Sequence, residues 1–144
     1  SGLSPEWLEG ELTETLALSD IDFAVSQMNK LRELGVKLAM DDFGTGYSSL
    51  SYLQILPITL LKLDRSFITN IEHDNIAYEI VSAVIRIAKS KKIETIAEGI
   101  ENTVQESILR MAGCDYGQGY LYGKPMPAQK LEEFFDLNAK SAMY

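Results

Sequence analysis

The chain has 144 residues, 46% of them hydrophobic and 24% charged, which suits one domain (residues 1–144) with a packed core. Twenty-one acids against thirteen bases leave a formal net charge of -8, which excludes a surface that grips DNA or RNA polymers by counterion release. No apolar run reaches the about 20 residues of a membrane-spanning helix, no basic-then-apolar leader is present, and the single cysteine, Cys114, has no partner for an internal disulfide, so a cytoplasmic location is expected.

In chain order, a lead-in whose Trp7 is expected to pack on the first helix runs into a short strand over Leu8 to Leu12. Ile21, Val25, Met28, Leu31 and Leu34 then recur at spacings of three and four, between the capping residues Ser19 and Asp20 and a stop at Gly35. That pattern predicts an amphipathic helix. Val36 to Met40 is a short apolar run, read as a buried strand that delivers Asp41 and Asp42 at its C-terminal end. A helix over Ser48 to Leu56 stopped near Pro57, a strand over Leu60 to Leu63, a helix over Asn75 to Ser90 and a strand over Ile93 to Ala97 follow. The inward positions expected for the helix from Asn75 are Ile76, Ile80, Val84, Ile87 and Ala88. Thr103 and Glu106 form the pattern of a capping box for a helix closed by Gly113, a Tyr-rich strand spans Tyr116 to Tyr122, and Pro127 opens a last helix to about Leu137. His73 is expected in an exposed loop, and Cys114 as a small buried hydrophobe.

Strands alternating with helices predict an α/β fold with a parallel sheet covered by helices. Glu11, Asp41, Asp42, Lys62, Asp64, Glu98 and Gln118 all fall in or just after predicted strands, so a parallel barrel would open them on one face. A TIM-type (βα)8 barrel takes eight units in about 250 residues. This chain is expected to hold about five C-terminal units, with the remainder missing from its N-terminal side.

Two adjacent aspartates at the end of an apolar strand repel one another unless a positive charge stands between them. Adjacent strand residues point to opposite faces, so both can reach one site only where the backbone turns, which is expected at Phe43-Gly44. With Glu11 and Glu98, the donor set is all oxygen and suits Mg²⁺ or Mn²⁺ over Zn²⁺. Two such ions about 3.5–4 Å apart can activate water and stabilise a leaving oxygen on a phosphodiester. Lys62 lies within an apolar strand and must be paired, snorkelling or functional; a salt bridge to Asp64 is the plain structural option. A Schiff-base or proton-abstracting lysine in a barrel lyase is a further chemical option.

Glu-Leu-Thr-Glu at 11–14, Asp-Asp-Phe-Gly-Thr-Gly-Tyr-Ser-Ser-Leu at 41–50, Lys-Leu-Asp at 62–64, Ala-Glu-Gly-Ile-Glu at 97–101 and Gly-Gln-Gly-Tyr at 117–120 together resemble the EAL-type cyclic-di-GMP phosphodiesterases. The resemblance implies a (βα)8-like barrel that linearises cyclic-di-GMP to pGpG with Mg²⁺ or Mn²⁺. It implies metal ligation by Glu11, Asp41 and Asp42, a metal or general-base role for Glu98, a water-orienting role for Lys62, further site roles for Glu101 and Gln118, and a loop-steadying role for Glu14. The Gly-rich loop 43–49 would then couple metal, substrate and a homodimer contact. The Glu-Ala-Leu signature and the family's asparagine ligand are absent from the sequence, and Gly10 stands where relatives carry an apolar residue. A catalytically incomplete module acting in dimerisation or ligand binding is therefore the alternative reading. Tyr116, Tyr120 and Tyr122 could stack a guanine but are expected to pack as strand residues.

Overall fold

The computed structural model describes residues 2–13, 20–44 and 52–141. Among them, five parallel strands form one sheet in chain order: β1 (Glu9–Thr13), β2 (Lys37–Phe43), β3 (Leu60–Leu63), β4 (Glu94–Ala97) and β5 (Tyr116–Gly117). Helices α1 (Ile21–Glu33), α2 (Arg65–Thr69), α3 (Asn75–Ser90), α4 (Thr103–Ala112) and α5 (Ala128–Ser141) lie between or after them. Parallel neighbours need crossovers, and helices supply them. The expected α/β architecture of strand-helix units is thus present. Strand alternation splits the sheet into two faces: Leu61, Leu63, Thr95 and Ala97 are fully buried, whereas Leu60, Lys62 and Ile96 on the other face are only half-buried. The helix-covered face carries the core, into which α2 and α3 send Ile68, Val81, Val84, Ile85 and Ala88.

Local signals set most boundaries. The Asp20 carboxylate accepts from the Phe23 N–H to start α1, and the Asp74 carboxylate accepts from the Ile76 and Ala77 N–H groups to start α3. Each satisfies donors that the first turn leaves orphaned. For α4 the cap is Asn102, one residue before the expected Thr103: its Oδ1 accepts from the Val104 and Gln105 N–H groups, while Gln105 Oε1 accepts from the Glu101 N–H. Asn is as good a cap as Thr, and its Nδ2 also donates to Glu72 at 2.6 Å, tying the cap to the segment before α3.

Several expectations are corrected. The stripe that α3 buries is Val81, Ser82, Val84, Ile85 and Ala88, while Ile76 and Ile80 are exposed. On α1, Met28 is buried but Leu31 is exposed, as is Leu34 just past its end. Trp7 is 76% exposed and does not pack on the first helix as expected. The Tyr-rich strand shrinks to Tyr116–Gly117, because the chain turns at Gly119–Tyr122, and Tyr116, Tyr120 and Tyr122 are exposed instead of packed. Pro127 precedes the last helix, accepting from Lys130 and Leu131, and the helix runs to Ser141, beyond the expected Leu137. Part of the helix expected over Ser48 to Leu56 lies outside the described residues; the described part holds a 3-10 turn at Tyr52–Gln54. The short helix α2 had no counterpart in the sequence reading. His73 is exposed in a turn, as expected.

Candidate active site

Strand register decides which carboxylates meet. Glu11 pairs with Ala39 and Ala39 with Leu60, while Thr13 pairs with Asp41 and Lys62 with Ile96. Counting in twos from these pairs, Glu11, Asp41, Lys62 and Glu98 share the half-covered face. Lys62 Nζ lies 3.0 Å from an oxygen of each of Glu11, Asp41 and Glu98. The Lys62 side chain is 12% exposed, those of Asp41 and Glu98 are 21% and 20%, and that of Glu11 is 48%. Burial alone would lower the ammonium's pKa, but hydrogen bonds to Glu11, Asp41 and Glu98 and the charge of Glu98 outweigh it and raise the pKa above the ordinary lysine value.

The salt bridge from Lys62 to Asp64 is not formed. Asp64 instead caps α2, its Oδ1 accepting from the Ser66 N–H at 2.9 Å, and that hydrogen bond, opposed by partial burial, holds its carboxyl below the usual range. The turn expected at Phe43-Gly44 comes one residue earlier. Met40 pairs with Leu61 and Phe43 with Leu63, so Asp41 and Asp42 together oppose Lys62. This is a bulge, and Asp42 takes the left-handed conformation it requires, with φ of 54°. The bulge keeps Asp41 on Lys62, and the Asp42 N–H donates to Asp41 Oδ1 at 3.0 Å. Asp42 itself is exposed at the rim.

Glu101 pairs with Arg65, whose guanidinium lies 2.6 Å from its carboxylate, and not with Lys62. Gln118 is exposed and ties strand ends through its backbone, donating to Ala97 O and accepting from the Ile100 N–H. It lines a groove of about 450 Å³ with Tyr120, Lys124 and Phe134. Glu14 and loop residues 45–49 lie outside the described residues. Arg65 escaped the sequence reading; the signal available was its position directly after the Lys-Leu-Asp block.

Gly10 sits in β1 against Leu38, where an added Cβ would meet Leu38 Cδ2 at 3.2 Å, so a side chain at this position requires Leu38 to shift. Cys114 is half-buried behind β4, its thiol donating to the Tyr116 carbonyl at 3.2 Å. Burial pushes this thiol's pKa up, against the smaller opposing effect of its contact with Thr95. A raised thiol pKa adds stability below about pH 8.5, the free-cysteine value, and loses it as pH rises through the folded value. Alkylation by iodoacetamide at pH 8 should therefore be at least about 10-fold slower in the folded chain than in urea. Equal rates would show an exposed thiolate.

Residues 1–125 match the EAL domain family. The chain belongs to the EAL domain family. Over 134 residues this EAL chain is 46% identical to "Cyclic di-GMP phosphodiesterase NbdA" of Pseudomonas aeruginosa, covering 93% of the chain and 17% of that protein. Among solved structures it is similar to the "PaMucR Phosphodiesterase, c-di-GMP complex" at 43% identity and a TM-score of 0.84, covering 90% of this chain and 52% of that one. It is also similar to a manganese and cyclic-di-GMP complex of Klebsiella pneumoniae BlrP1, at 34% identity and a TM-score of 0.82, covering 86% of this chain and 32% of that one. The EAL chain thus spans about half or less of the length of these relatives. The EAL neighbours are TIM-barrel-like, which accords with the expected partial barrel. Among the described residues, no helix is long and apolar enough to cross a membrane.

Proposed function

We propose that this chain is the C-terminal part of an EAL phosphodiesterase domain that hydrolyses cyclic-di-GMP to pGpG with divalent cations in the cytoplasm. The observation that carries the reading is the meeting of Glu11, Asp41 and Glu98 on one ammonium, Lys62 Nζ, at the shared end of parallel strands. Such strand ends are where barrel enzymes keep their chemistry.

The donors fit a hard divalent cation in kind: they are carboxylate oxygens, with no Cys or His among them. They are gathered on the ammonium, and among the described residues no three acids, histidines or cysteines are arranged to hold an ion by themselves. Glu11, Asp41 and Asp42 would hold Mg²⁺ or Mn²⁺ together with oxygens from substrate, water and the rest of the domain. The bound cations would acidify a water and neutralise phosphoryl charge, which a chain of net charge -8 otherwise repels. With Glu11 and Asp41 drawn onto the cations, Lys62 would be released to donate to the attacking water and orient it, and Glu98, 3.0 Å from the same ammonium, would be placed to take that water's proton. One P–O bond forms to water as the bond to the 3′ oxygen breaks, leaving the linear dinucleotide with a 5′ phosphate. Glu101 and Gln118 line the rim, and the exposed Tyr120 is available to stack a guanine.

The edge of β1 and the apolar groove of about 350 Å³ between β1 and α1, lined by Leu12, Phe23, Met28, Leu31 and Leu38, are the surface on which the remaining barrel units would pack. The same edge is open to a second copy, so barrel completion and self-association compete for it. A homodimer is proposed on that basis.

The test is chromatographic: cyclic-di-GMP is incubated with the native polypeptide carrying residues 1–144, with Mg²⁺ or Mn²⁺ and then with EDTA. Formation of pGpG that EDTA abolishes is the expected result. Absence of pGpG from a folded sample, or hydrolysis indifferent to EDTA, overturns the reading.

A further inference from the structure

The centre depends on where Glu98 stands, and Glu98 lies just past the end of β4. Its backbone N–H continues the ladder by donating to Leu63 O at 3.0 Å. The next residue, Gly99, leaves the strand with φ of +75°, a conformation that side-chain-bearing residues rarely adopt. Its Cα rests on the aliphatic stem of Arg65, since a Cβ there would meet Arg65 Cβ at 2.8 Å and Cδ at 3.0 Å. The Arg65 guanidinium then reaches over this contact to Glu101 at 2.6 Å.

Arg65 itself is firmly based. It opens α2 directly behind the Asp64 cap, and its carbonyl accepts from Thr69 Oγ1 at 3.0 Å. Lys62 and Arg65 thus project from one strand end, Glu98 and Glu101 from the next, and two ion pairs join them: Lys62 with Glu98 in the centre, Arg65 with Glu101 at the rim. On its other side the 98–101 segment is tied by the Ile100 N–H to Gln118 O and by the Leu121 N–H to Ile100 O, both 3.0 Å.

We propose that Arg65 is a positioning residue: its stem under Gly99 and its ion pair with Glu101 clamp the β4–α4 connection and so fix Glu98 against Lys62. The proposal rests on the reading of the Lys62 centre as the hydrolytic site. A surface ion pair contributes little to stability by itself. Misplacing a reacting group by about 1 Å, however, costs on the order of 100-fold in rate, so the clamp's effect should appear in turnover.

The experiment uses the native polypeptide carrying residues 1–144, in three forms: unmodified, Arg65→Ala and Arg65→Lys. Arg65→Ala should lower kcat about 10- to 100-fold with KM changed less than about 2-fold. Arg65→Lys, which keeps stem and charge, should recover most of the loss. Amide exchange of residues 98–102, which needs no activity, should rise at least about 10-fold in Arg65→Ala and stay near the unmodified level in Arg65→Lys. Unchanged exchange in Arg65→Ala overturns the clamp even if the polypeptide proves to have no phosphodiesterase activity. A raised KM with unchanged kcat would put the guanidinium on the substrate and overturn the positioning role. Increased exchange across the whole sheet would mark general unfolding and also overturn it.

Discussion

Lys62→Ala should lower the melting temperature of the chain by roughly 10 °C and, on the proposed function, strongly reduce phosphodiester hydrolysis by the native polypeptide. The Lys62 ammonium touches Glu11, Asp41 and Glu98 at 3.0 Å each, with its side chain only 12% exposed. Removing it leaves three carboxylates facing one another. Loss of one partner of a buried pair costs about 3–5 kcal/mol, and the half-exposed Glu11 lets water screen part of this, so about 2–4 kcal/mol is expected. The raised lysine pKa means that this contribution is complete at neutral pH and is lost only as pH climbs past the ordinary lysine value through the folded one. The destabilisation should therefore be the same at pH 6 and pH 8. Mn²⁺ should raise the melting temperature of Lys62→Ala more than that of the parent chain, because the cation replaces the missing charge. Hydrolysis in the native polypeptide should fall at least about 100-fold, as for removal of a preorganised donor. An unaltered melting curve would show that the ammonium does not hold the carboxylates together.

Gly119→Ala should be the most destabilising small substitution in the C-terminal third of the chain. The methyl would collide with the backbone nitrogen and oxygen of Ile100, neither of which can move as a side-chain end can. Relief requires the Gly119–Tyr122 turn to swing away from the β4–α4 connection. That breaks the Ile100 N–H bond to Gln118 O and the Leu121 N–H bond to Ile100 O, and carries Gln118 out of place. Overpacking typically costs about 1–3 kcal/mol when side chains can adjust, so a rigid backbone obstacle should cost more than about 3 kcal/mol. Gly123→Ala is the control, its Cβ meeting only Met126 Cε at an ordinary 3.7 Å. Chemical denaturation of the two variants checks this: a midpoint for Gly119→Ala equal to that of Gly123→Ala would show the contact to be absent.

Where the sequence was sufficient, the determinant was short-range. Asp20 and Asp74 cap α1 and α3 at the expected starts because a capping carboxylate acts on N–H groups two or three residues on. The strand Leu60–Leu63 is bounded as its apolar run predicts, and the motif blocks identify the family because each is a local chemical pattern. The face that α3 buries was less legible: apolar residues occupy two adjoining stripes, and only packing against the sheet selects Val81, Ile85 and Ala88 over Ile76 and Ile80. The Asn102 cap, by contrast, was legible locally, because Asn102 with Gln105 three residues on is itself a capping-box spacing.

The site divides along the same line. That acids and a lysine gather at strand ends follows from the sequence alone, since strand-helix alternation forces parallel strands to open on one side. Which of them touch does not follow. Asp64 is two residues from Lys62, but the strand ends at Leu63 and Asp64 caps α2, so the partners are Glu11, Asp41 and Glu98, 51, 21 and 36 residues away. Those contacts are set by the stagger of four strands and by the extra residue of the bulge at Asp41-Asp42. The clamp of Arg65 on Gly99 and Glu101 is of the same kind. Caps and apolar period thus determined the elements of this protein, and its motif blocks the family, because each acts within one turn or one strand. Register and bulge, which exist only once distant strands are paired, decided which charges meet.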